Sequence, residues 1–413
     1  MTTTSVVGPL GEVVVGAGPL LLAGIGSGPG LPAHTARLGP LPELSLAALL
    51  ELARAAAVRG RGGAGFPFAR KLEAAARGRR PVVVVNAAEG EPASAKDLVL
   101  LALTPHQVLD GAVLAARALA AREVHVVTSA DRPAAAAGVD AALRERSDRG
   151  IRWRRHVAAP RFVSGQGRAV LELMAGREGL PVTAWQPEAV RGHRGRPTLL
   201  SNAETFAQLG ALVRVGSDAY AAHGTDTEPG TSLLTVVSPV PGAPTRVVEV
   251  GHGTNFAEVL DAGQLAGPCL VGGYHGTWTS GAHLAALPVS ALALRAQGLT
   301  LGAGVVLPLG ASACPVARTA ELTAYLAGES AGRCGPCRNG LPALASAVRD
   351  LASGSDTRAR IAEVTGLVTG RGACAHPDGT TRLVGSLVHG LPALVEAHLV
   401  GRCACGAPAE DVA

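Results

Sequence analysis

Long uninterrupted apolar runs are missing from this 413-residue sequence, although hydrophobic residues make up 47% of it. A membrane-spanning helix needs about 20 consecutive apolar residues, so we expect no direct membrane insertion. The N-terminal residues lack an early lysine or arginine and include Glu12, which argues against a signal peptide. We therefore expect a cytoplasmic protein.

Aromatic residues are also scarce, at 3% of the chain. The 37 basic residues exceed the 32 acidic residues by five, and they are spread along the chain rather than gathered into a block. Proteins that bind single-stranded nucleic acid combine a basic groove with aromatic side chains on which bases stack. The sequence therefore predicts no nucleic-acid partner.

Lysine is almost absent, and arginine supplies nearly all of the positive charge. Asparagine is also rare. Lysine occurs only at Lys71 and Lys96. An arginine cannot replace a compact ammonium group where the geometry requires one, so the two lysines indicate positions with a specific role.

The length favours two or three domains. Helical patterns alternate with buried apolar runs such as 81–86 and 123–128, which predicts an α/β domain with a parallel sheet over 45–227. Short alternating strands with glycine and proline turns predict a small β-rich module at 228–310. Helical periodicity returns over 311–402, including expected helices at 316–328 and 383–399. Residues 1–44 are predicted to be irregular, and 403–413 form a tail.

A glycine-rich loop at 59–67 follows an expected helix that begins near Ser45. Glycines allow backbone N–H groups to approach a phosphate closely, and Lys71 in the next helix could add a positive charge. A plain surface turn is the alternative interpretation. The next strand ends in the polar segment 86–92, and ligands of open α/β sheets bind beyond the carboxyl ends of strands. The two features therefore predict one ligand crevice.

Four of the seven cysteines form a C-x-x-C pair, Cys334 and Cys337, and a C-x-C pair, Cys403 and Cys405. In a long chain without a signal peptide, this spacing favours metal ligation over disulfides. Cys269 and Cys314 are isolated beside prolines, and we expect them to be packing residues.

The order of these motifs resembles a known family. R-G-R-G-G-A-G-F-P at 59–67, N-A-A-E-G-E-P at 86–92 and S-N-A-E-T at 201–205 are similar to motifs of the flavin-binding subunit of NADH-quinone oxidoreductases and related diaphorase subunits. The resemblance covers about 45–400 and extends to the cysteine-bearing end. It implies an FMN-binding domain, a soluble-ligand-binding β-grasp module at 228–310, and a helical iron-sulfur domain.

The resemblance also implies roles for individual residues. The residues expected to hold the FMN phosphate are Gly62, Gly63, Gly65 and Lys71. Those expected to contact the flavin or its ribityl chain are Asn86, Glu89 and Asn202. Phe66 and Glu91 match positions on the nicotinamide side and are the candidate catalytic residues.

Several positions depart from the family pattern. Ala88 replaces an aspartate, Gln166 and Gly167 replace two glutamates, and 184–188 replaces a Lys-Pro-Pro-Phe-Pro segment. Three carboxylates are lost in this way. The pattern therefore favours FMN binding more strongly than direct oxidation of NADH.

The segment 329–338 resembles the family's E-S-C-G-x-C-x-P-C motif, which implies a 4Fe-4S cluster on Cys334, Cys337 and Cys374. Ala331 takes the place of the first cysteine, so the fourth ligand is open. Water or another non-protein ligand, a tail cysteine, and His376 are the alternatives in that order. Cys314 is expected to lie about 20 Å away, at the other end of a helix. A zinc site that includes Cys403 and Cys405, or no metal, are further alternatives.

These inferences predict an oxidoreductase subunit that passes electrons from NAD(P)H through FMN to an iron-sulfur cluster. The partner would be another electron-transfer subunit or a ferredoxin-like acceptor. A non-catalytic scaffold that no longer binds NADH is the alternative, and a binding protein that uses the β-rich module is a third possibility.

Overall fold

The computed structural model describes residue 10 and residues 12–403, which divide into two compact units. Unit 1 contains the described residues up to Val236 and the segment Pro244–Thr254. Unit 2 contains Val237–Ala243 and the described residues from Asn255 onward. The boundary between the units falls inside the segment 228–310.

Unit 1 contains strands β1 (Val13–Val15), β2 (Val82–Ala87), β3 (Glu123–Ser129), β4 (Arg152–Ala158), β5 (Thr198–Asn202), β6 (Thr231–Val236) and β7 (Thr245–Gly251). Its helices are α1 (Leu31–Leu38), α2 (Leu46–Ala55), α3 (Phe68–Ala76), α4 (Lys96–Leu103), α5 (Pro105–Ala118), α6 (Pro133–Glu145), α7 (Gly167–Met174), α8 (Ala203–Val215) and α9 (Ser217–Ala221).

Unit 2 contains helices α10 (Phe256–Val259), α11 (Ala262–Leu265), α12 (Gly281–Ala285), α13 (Ala291–Ala296), α14 (Pro315–Gly328), α15 (Leu341–Ala352), α16 (Arg358–Val368), α17 (His376–Gly390) and α18 (Pro392–Leu399). Its strands are β8 (Pro268–Val271), β9 (Thr277–Ser280) and β10 (Val305–Pro308).

The predicted parallel sheet is confirmed in unit 1. Its four strands are all parallel and lie in the order β4, β3, β2, β5. The valines of β2 from Val82 to Val85 are completely buried, because helices cover both faces of a parallel sheet. In the register of β2 and β5, Asn86 pairs with Asn202, which brings two polar strand ends together.

The N-terminal segment differs from the expectation of irregular structure, since its described part contains β1 and α1. Val14 of β1 pairs with Arg246 in a parallel ladder with β7, and β7 pairs antiparallel with β6. A three-residue strand whose partner lies more than 200 residues away leaves no local pattern, so sequence periodicity could not reveal it.

Helices α5 and α8 approach each other closely at two glycines. A Cβ atom on Gly111 of α5 would overlap the backbone carbonyl of Phe206 in α8. A Cβ atom on Gly210 of α8 would lie 2.7 Å from the carbonyl oxygen of Gln107. The spacing of the two helices therefore requires that neither position carries a side chain.

In unit 2, β10, β8 and β9 form antiparallel pairs, and helices α14 to α18 follow them. The indole N–H of Trp278 in β9 donates to the hydroxyl of Thr319 in α14 at 2.9 Å. The expected helix over 383–399 is two helices, because Leu391 leaves the helical conformation before Pro392. A residue that precedes proline disfavours the helical region, which explains the break.

Among the residues described, no single helix is both long and apolar enough to span a membrane. Helices α4 and α5 meet the length and composition criteria only as a pair, with a bend of 93° between them.

Candidate functional site

The glycine-rich loop, residues 59–67, connects α2 to α3 in unit 1. The N–H of Gly60 donates to the carbonyl of Phe66 at 2.9 Å and closes the base of the loop. Gly63 has a φ of +102° and Gly65 a φ of +61°, which favours glycine at both positions. Gly62, Gly63 and Ala64 are exposed at the tip. The loop therefore presents accessible backbone rather than side chains.

The loop lies against the N-terminus of α8. The N–H of Arg61 donates to the hydroxyl of Thr205 at 2.9 Å. A Cβ atom on Gly62 would be 3.6 Å from Cβ of Asn202, the last residue of β5. The structure thus brings the loop to the carboxyl end of β5, where a ligand of an open sheet is expected to bind.

Lys71 reaches the same strand from α3. Its Nζ donates to the carbonyl of Leu200 at 3.2 Å. Burial lowers the pKa of Lys71, and the nearby Glu188 carboxylate opposes this effect. Helix α3 is held in place by an edge-to-face contact between Phe68 and Phe206, whose ring centroids are 6.0 Å apart. An ammonium group on a firmly packed helix therefore lies beside β5.

The two asparagines at the strand ends are joined to each other and to a neighbouring turn. The Asn202 amide donates to the backbone carbonyl of Asn86 at 3.3 Å. The Asn86 amide donates to the carbonyl of Gly165 at 2.8 Å. A Cβ atom on Gly165 would be 2.9 Å from the carbonyl of Ala88, so the turn and the segment after β2 are in close contact.

Lys96, at the start of α4, is buried in a charge network behind these strand ends. Its Nζ lies 2.9 Å from a carboxylate oxygen of Asp97, 3.1 Å from Glu204 and 2.7 Å from the side-chain oxygen of Asn202. Burial alone would lower the pKa of Lys96, but the two carboxylates outweigh it and raise the pKa. Three acceptors around one ammonium group explain why lysine is present here.

Glu89 belongs to the start of α4 rather than to an open surface. Its carboxylate accepts hydrogen bonds from the Ser94 hydroxyl at 2.6 Å and from the N–H groups of Asp97 at 3.0 Å and Leu98 at 3.1 Å. Burial, followed by the charge of Asp97, raises the pKa of Glu89. The carboxylate therefore caps the N-terminus of α4, where a helix favours negative charge.

The two residues expected on the nicotinamide side lie in different segments. Phe66 is at the end of the glycine-rich loop and is 45% exposed, which is unusual for a phenylalanine. Glu91 lies in the turn after β2, where its carboxylate accepts from the N–H of Ala93 at 3.3 Å.

Two of the positions that depart from the family pattern, Ala88 and Gly167, are closely packed against neighbouring side chains. Ala88 is buried in an apolar cluster that includes Val84 and Leu200. At Gly167, a Cβ atom would lie 2.6 Å from a carboxylate oxygen of Glu188, so the Glu188 side chain fills that space. Glu188 thus brings a carboxylate to this turn from another part of the chain. The sequence analysis missed this role, because only the fold brings 167 and 188 together.

In unit 2, Cys334, Cys337 and Cys374 are here called the cysteine trio. Cys337 lies in a π-helical turn, Pro336–Gly340, Cys334 precedes that turn, and Cys374 precedes α17. Cys334 and Cys374 both lie close enough to Cys337 to influence its thiol, and Cys334 likewise influences Cys374. Burial, followed by the neighbouring thiols of Cys334 and Cys374, raises the pKa of Cys337 to about 12. This arrangement offers three cysteine sulfurs, which would lose their protons on binding and are of the kind that hold iron-sulfur clusters.

Two of the candidates for a fourth ligand, His376 and Cys403, contact other groups in the described structure. Nδ1 of His376 is 3.1 Å from Nε2 of His275, and its Nε2 is 2.8 Å from the carbonyl of Leu326. Cys403 lies near Cys314 instead, and Cys405 is outside the described residues.

Cys314 is buried, as expected of a packing residue, but it is not isolated. Its sulfur is 3.4 Å from Nδ1 of His398, and the ligand atoms of Cys314, His398 and Cys403 all lie within 4.8 Å of one another. Sequence analysis missed this group because helices α14 to α17 lie between Cys314 and the other two residues in the chain. The C-x-C spacing of Cys403 and Cys405 was the available signal.

Comparison with known proteins agrees with both regions. Residues 53–211 match the family described as Nuo51 FMN-binding domain, and residues 317–398 match the NADH-ubiquinone oxidoreductase-F iron-sulfur binding region. The chain is 27% identical over 391 residues to the F subunit of NADH-quinone oxidoreductase from Streptomyces coelicolor, covering 88% of this chain and 86% of that protein. It is 26% identical to the corresponding protein of Rickettsia rickettsii, covering 85% and 89%.

Among solved structures, the chain is similar to an NAD+-reducing [NiFe]-hydrogenase in the air-oxidized state, with a TM-score of 0.78 and 27% identity. The match covers 86% of this chain and 63% of the hydrogenase chain, so the present chain spans less than two thirds of that protein. The two matched regions lie in the order that the resemblance in the sequence motifs implies. In both regions, the chain is therefore similar to the FMN- and iron-sulfur-binding NADH dehydrogenase subunits, as a divergent relative of that family.

Proposed function

We propose that the protein is an electron-transfer subunit that passes electrons from NAD(P)H through FMN to a 4Fe-4S cluster and on to a partner protein. The observation that carries this proposal is that one chain contains both a candidate FMN site and a candidate iron-sulfur site. The glycine-rich loop meets the ends of β2 and β5 in unit 1, and the cysteine trio converges in unit 2.

The residues of unit 1 fit a phosphate-bearing cofactor. Exposed backbone at Gly62 and Gly63, with Gly65, would donate N–H groups to the FMN phosphate, and the Lys71 ammonium would balance its charge. Asn86 and Asn202 would lie beside the ribityl chain or the flavin. When bound, FMN supplies the exchange between two-electron and one-electron chemistry.

Glu89 and Lys96 would act as positioning residues. The Glu89 cap fixes the start of α4, and Lys96 at that start holds Asn202. Phe66 and Glu91 would form walls of the nicotinamide site, with the exposed ring excluding water and the carboxylate contacting the dinucleotide. The carboxylate of Glu188 would replace part of the negative charge lost at 166 and 167.

In unit 2, the three thiolates of the cysteine trio would hold the cluster. Ala331 offers no ligand, and His376 uses both ring nitrogens in other hydrogen bonds. We therefore propose a three-cysteine cluster with a non-protein fourth ligand.

The surroundings of the trio suggest the nature of its partner. Arg333 and Arg338 adjoin cysteines in the chain, Arg371 lies three residues before Cys374, and all three arginines are exposed. A basic surface near a redox centre attracts a partner of opposite charge and raises its association rate. We therefore propose an acidic acceptor, either another electron-transfer subunit or a ferredoxin-like protein.

The experiment that tests this function is an absorption spectrum of protein purified without oxygen, recorded before and after NADH or NADPH is added. We expect flavin bands and a broad iron-sulfur shoulder, both of which bleach with the nucleotide. Bands that persist with either nucleotide but bleach with dithionite would rule out NAD(P)H as the donor.

A second candidate function is a scaffold subunit without a working donor site. The burial of Ala88 in an apolar cluster favours it, because no carboxylate could be accommodated there without repacking. A colourless protein that contains no iron would support the scaffold and contradict the electron-transfer role.

A further inference from the structure

Unit 2 contains a second group of metal-ligand residues, which consists of Cys314, His398 and Cys403 and is here called the Cys314 group. Cys314 precedes α14, His398 lies in the last turn of α18, and Cys403 follows that helix by four residues. Cys334 follows the opposite end of α14, which at 1.5 Å per residue is about 20 Å long. The Cys314 group and the cysteine trio are therefore associated with opposite ends of one helix.

The geometry of the Cys314 group matches that of a tetrahedral metal. Zinc bonds of about 2.3 Å to sulfur and about 2.0 Å to nitrogen place neighbouring ligand atoms about 3.5 to 3.8 Å apart. The sulfur of Cys314 is 3.4 Å from Nδ1 of His398, and the three ligand atoms lie within 4.8 Å of one another. Small adjustments of side chains would bring these three atoms to bonding distance of one ion, and a water molecule would take the fourth position.

The imidazole of His398 is oriented for metal binding. Its Nε2 lies 3.0 Å from the carbonyl of Ala352, an acceptor that requires Nε2 to carry the proton. Nδ1 then presents its lone pair on the side where the Cys314 sulfur lies. Metal-bound histidines commonly donate their second ring N–H to a backbone carbonyl, which fixes both the tautomer and the ring.

Cys314 is held in a similar way. It is buried at the N-terminus of the 14-residue α14, and its sulfur accepts from the N–H of Ala317 at 3.5 Å. The N-terminus of a helix stabilises a thiolate, which is the form that binds metal. Both the sulfur and the ring are thus prepared by contacts outside the Cys314 group.

We propose that Cys314, His398 and Cys403 bind a zinc ion that is separate from the iron-sulfur cluster. Binding of Zn²⁺ releases one proton from each thiol and changes no oxidation state. Two sulfurs and one imidazole are ligands that suit Zn²⁺, whereas Mg²⁺ and Ca²⁺ prefer oxygen. The ion would join the end of α18 to the start of α14. This proposal does not depend on the proposed electron-transfer function.

The test uses the full chain, produced with iron and zinc in the medium and purified without oxygen. Zinc and iron per chain are measured by mass spectrometry for the wild type, Cys314→Ser, Cys403→Ser and Cys337→Ser. Cys269→Ser is the matched control, because Cys269 is another buried cysteine of unit 2. Circular dichroism checks that each variant is folded.

We expect about one zinc per wild-type chain, at least a tenfold loss of zinc in Cys314→Ser and Cys403→Ser, and unchanged zinc in Cys269→Ser. Cys337→Ser should lose iron and keep zinc. The proposal is overturned if the wild type holds no zinc, if zinc follows Cys337 instead, or if the two serine variants retain it. A disulfide between Cys314 and Cys403 in intact-mass analysis would also overturn it.

A second measurement avoids variants that fail to fold. The wild-type protein is stripped of zinc with a chelator and titrated with Co²⁺, whose bands report tetrahedral coordination and thiolate ligation. We expect the bands to saturate at one Co²⁺ per chain and to disappear when Zn²⁺ is added. A spectrum without thiolate-to-cobalt bands would contradict the proposal.

Discussion

Nζ of Lys96 lies 2.7 Å from the side-chain oxygen of Asn202, which joins the first residue of α4 to the last residue of β5. The same oxygen accepts from the N–H of Glu204 at 3.0 Å and caps α8. One buried ammonium group therefore fixes the position of the asparagine that is expected to contact the cofactor.

Lys96→Met is expected to destabilise the protein strongly. Removal of the ammonium group leaves the carboxylates of Asp97 and Glu204 buried without their cation, and such a loss costs about 3 to 5 kcal/mol. Urea unfolding measures the effect. Lys71→Met is the matched control and should reduce the free energy of unfolding much less, because Lys71 forms no ion pair of this kind among the described residues. Equal losses in the two variants would contradict the prediction.

Gly63→Ala should weaken FMN binding. A φ of +102° strains an alanine by about 1 to 3 kcal/mol, so the loop would leave the conformation that we propose for phosphate binding. This range predicts a loss of affinity of about fivefold to about 140-fold, since about 1.4 kcal/mol corresponds to a factor of ten. Quenching of FMN fluorescence measures the affinity.

Gly60→Ala is the control for the same loop. Its Cβ atom would meet the Phe66 carbonyl at 3.5 Å, an ordinary contact. The FMN affinity of this variant should stay within about threefold of the wild type. If Gly60→Ala and Gly63→Ala bind FMN equally well, the loop does not cradle the phosphate.

Cys374→Ser is expected to abolish the iron-sulfur signal. Only two thiolates of the cysteine trio would remain, too few to retain a cluster that already lacks a protein ligand at 331. Electron paramagnetic resonance of the dithionite-reduced protein and iron analysis measure the loss. Flavin content should be unchanged, since Cys374 lies in unit 2. A normal cluster signal in this variant would exclude Cys374 as a ligand.

Stability should fall as the pH decreases below about 6.5, in part because of His252. Burial, and then the charge of Arg61, lowers the pKa of His252 to about 3. Its Nδ1 donates to the carbonyl of Glu228 at 3.0 Å, and its Nε2 lies 3.1 Å from the Arg61 guanidinium. Between pH 6.5 and 3 the unfolded chain binds a proton that the folded chain rejects, so unfolding becomes more favourable.

The measurement is the urea midpoint between pH 7 and pH 4.5, compared for the wild type and His252→Gln. The variant should lose less stability over this interval, because glutamine at 252 cannot bind a proton in the unfolded chain. His125, whose pKa burial and His156 lower to about 3, should keep part of the dependence in both proteins. Identical pH profiles would exclude His252 as a contributor.

Local sequence patterns predicted the main elements of unit 1. The apolar run that forms β2 indicated a strand covered on both faces, and Ser45 caps α2 by accepting from the N–H of Ala48. The resemblance implied that Asn86 and Asn202 both contact the flavin or its ribityl chain, and the register of β2 and β5 pairs these two residues. The strand and the helix cap could be predicted because they depend on residues close together in the chain. The roles of the asparagines could be predicted because the order of the motifs resembles that of a known family.

What escaped prediction depends on contacts between distant segments. Glu188 fills the space beside Gly167, and His398 meets Cys314 across 84 positions of the chain. Neither relation leaves a period or a spacing in the sequence. Strand β1 is similarly invisible, because its three residues are a strand only through their pairing with β7.

The close approach of α5 and α8 at Gly111 should restrict which natural substitutions this position tolerates. Helix α8 carries Asn202 at its start, and Gly111 allows the Phe206 backbone to lie directly against α5. A substitution at Gly111, a position outside the proposed site, would therefore displace Asn202, the residue that we propose contacts the cofactor. Among natural variants of this protein, Gly111 should tolerate change only together with a compensating change in α8, so the two helices should evolve as a pair.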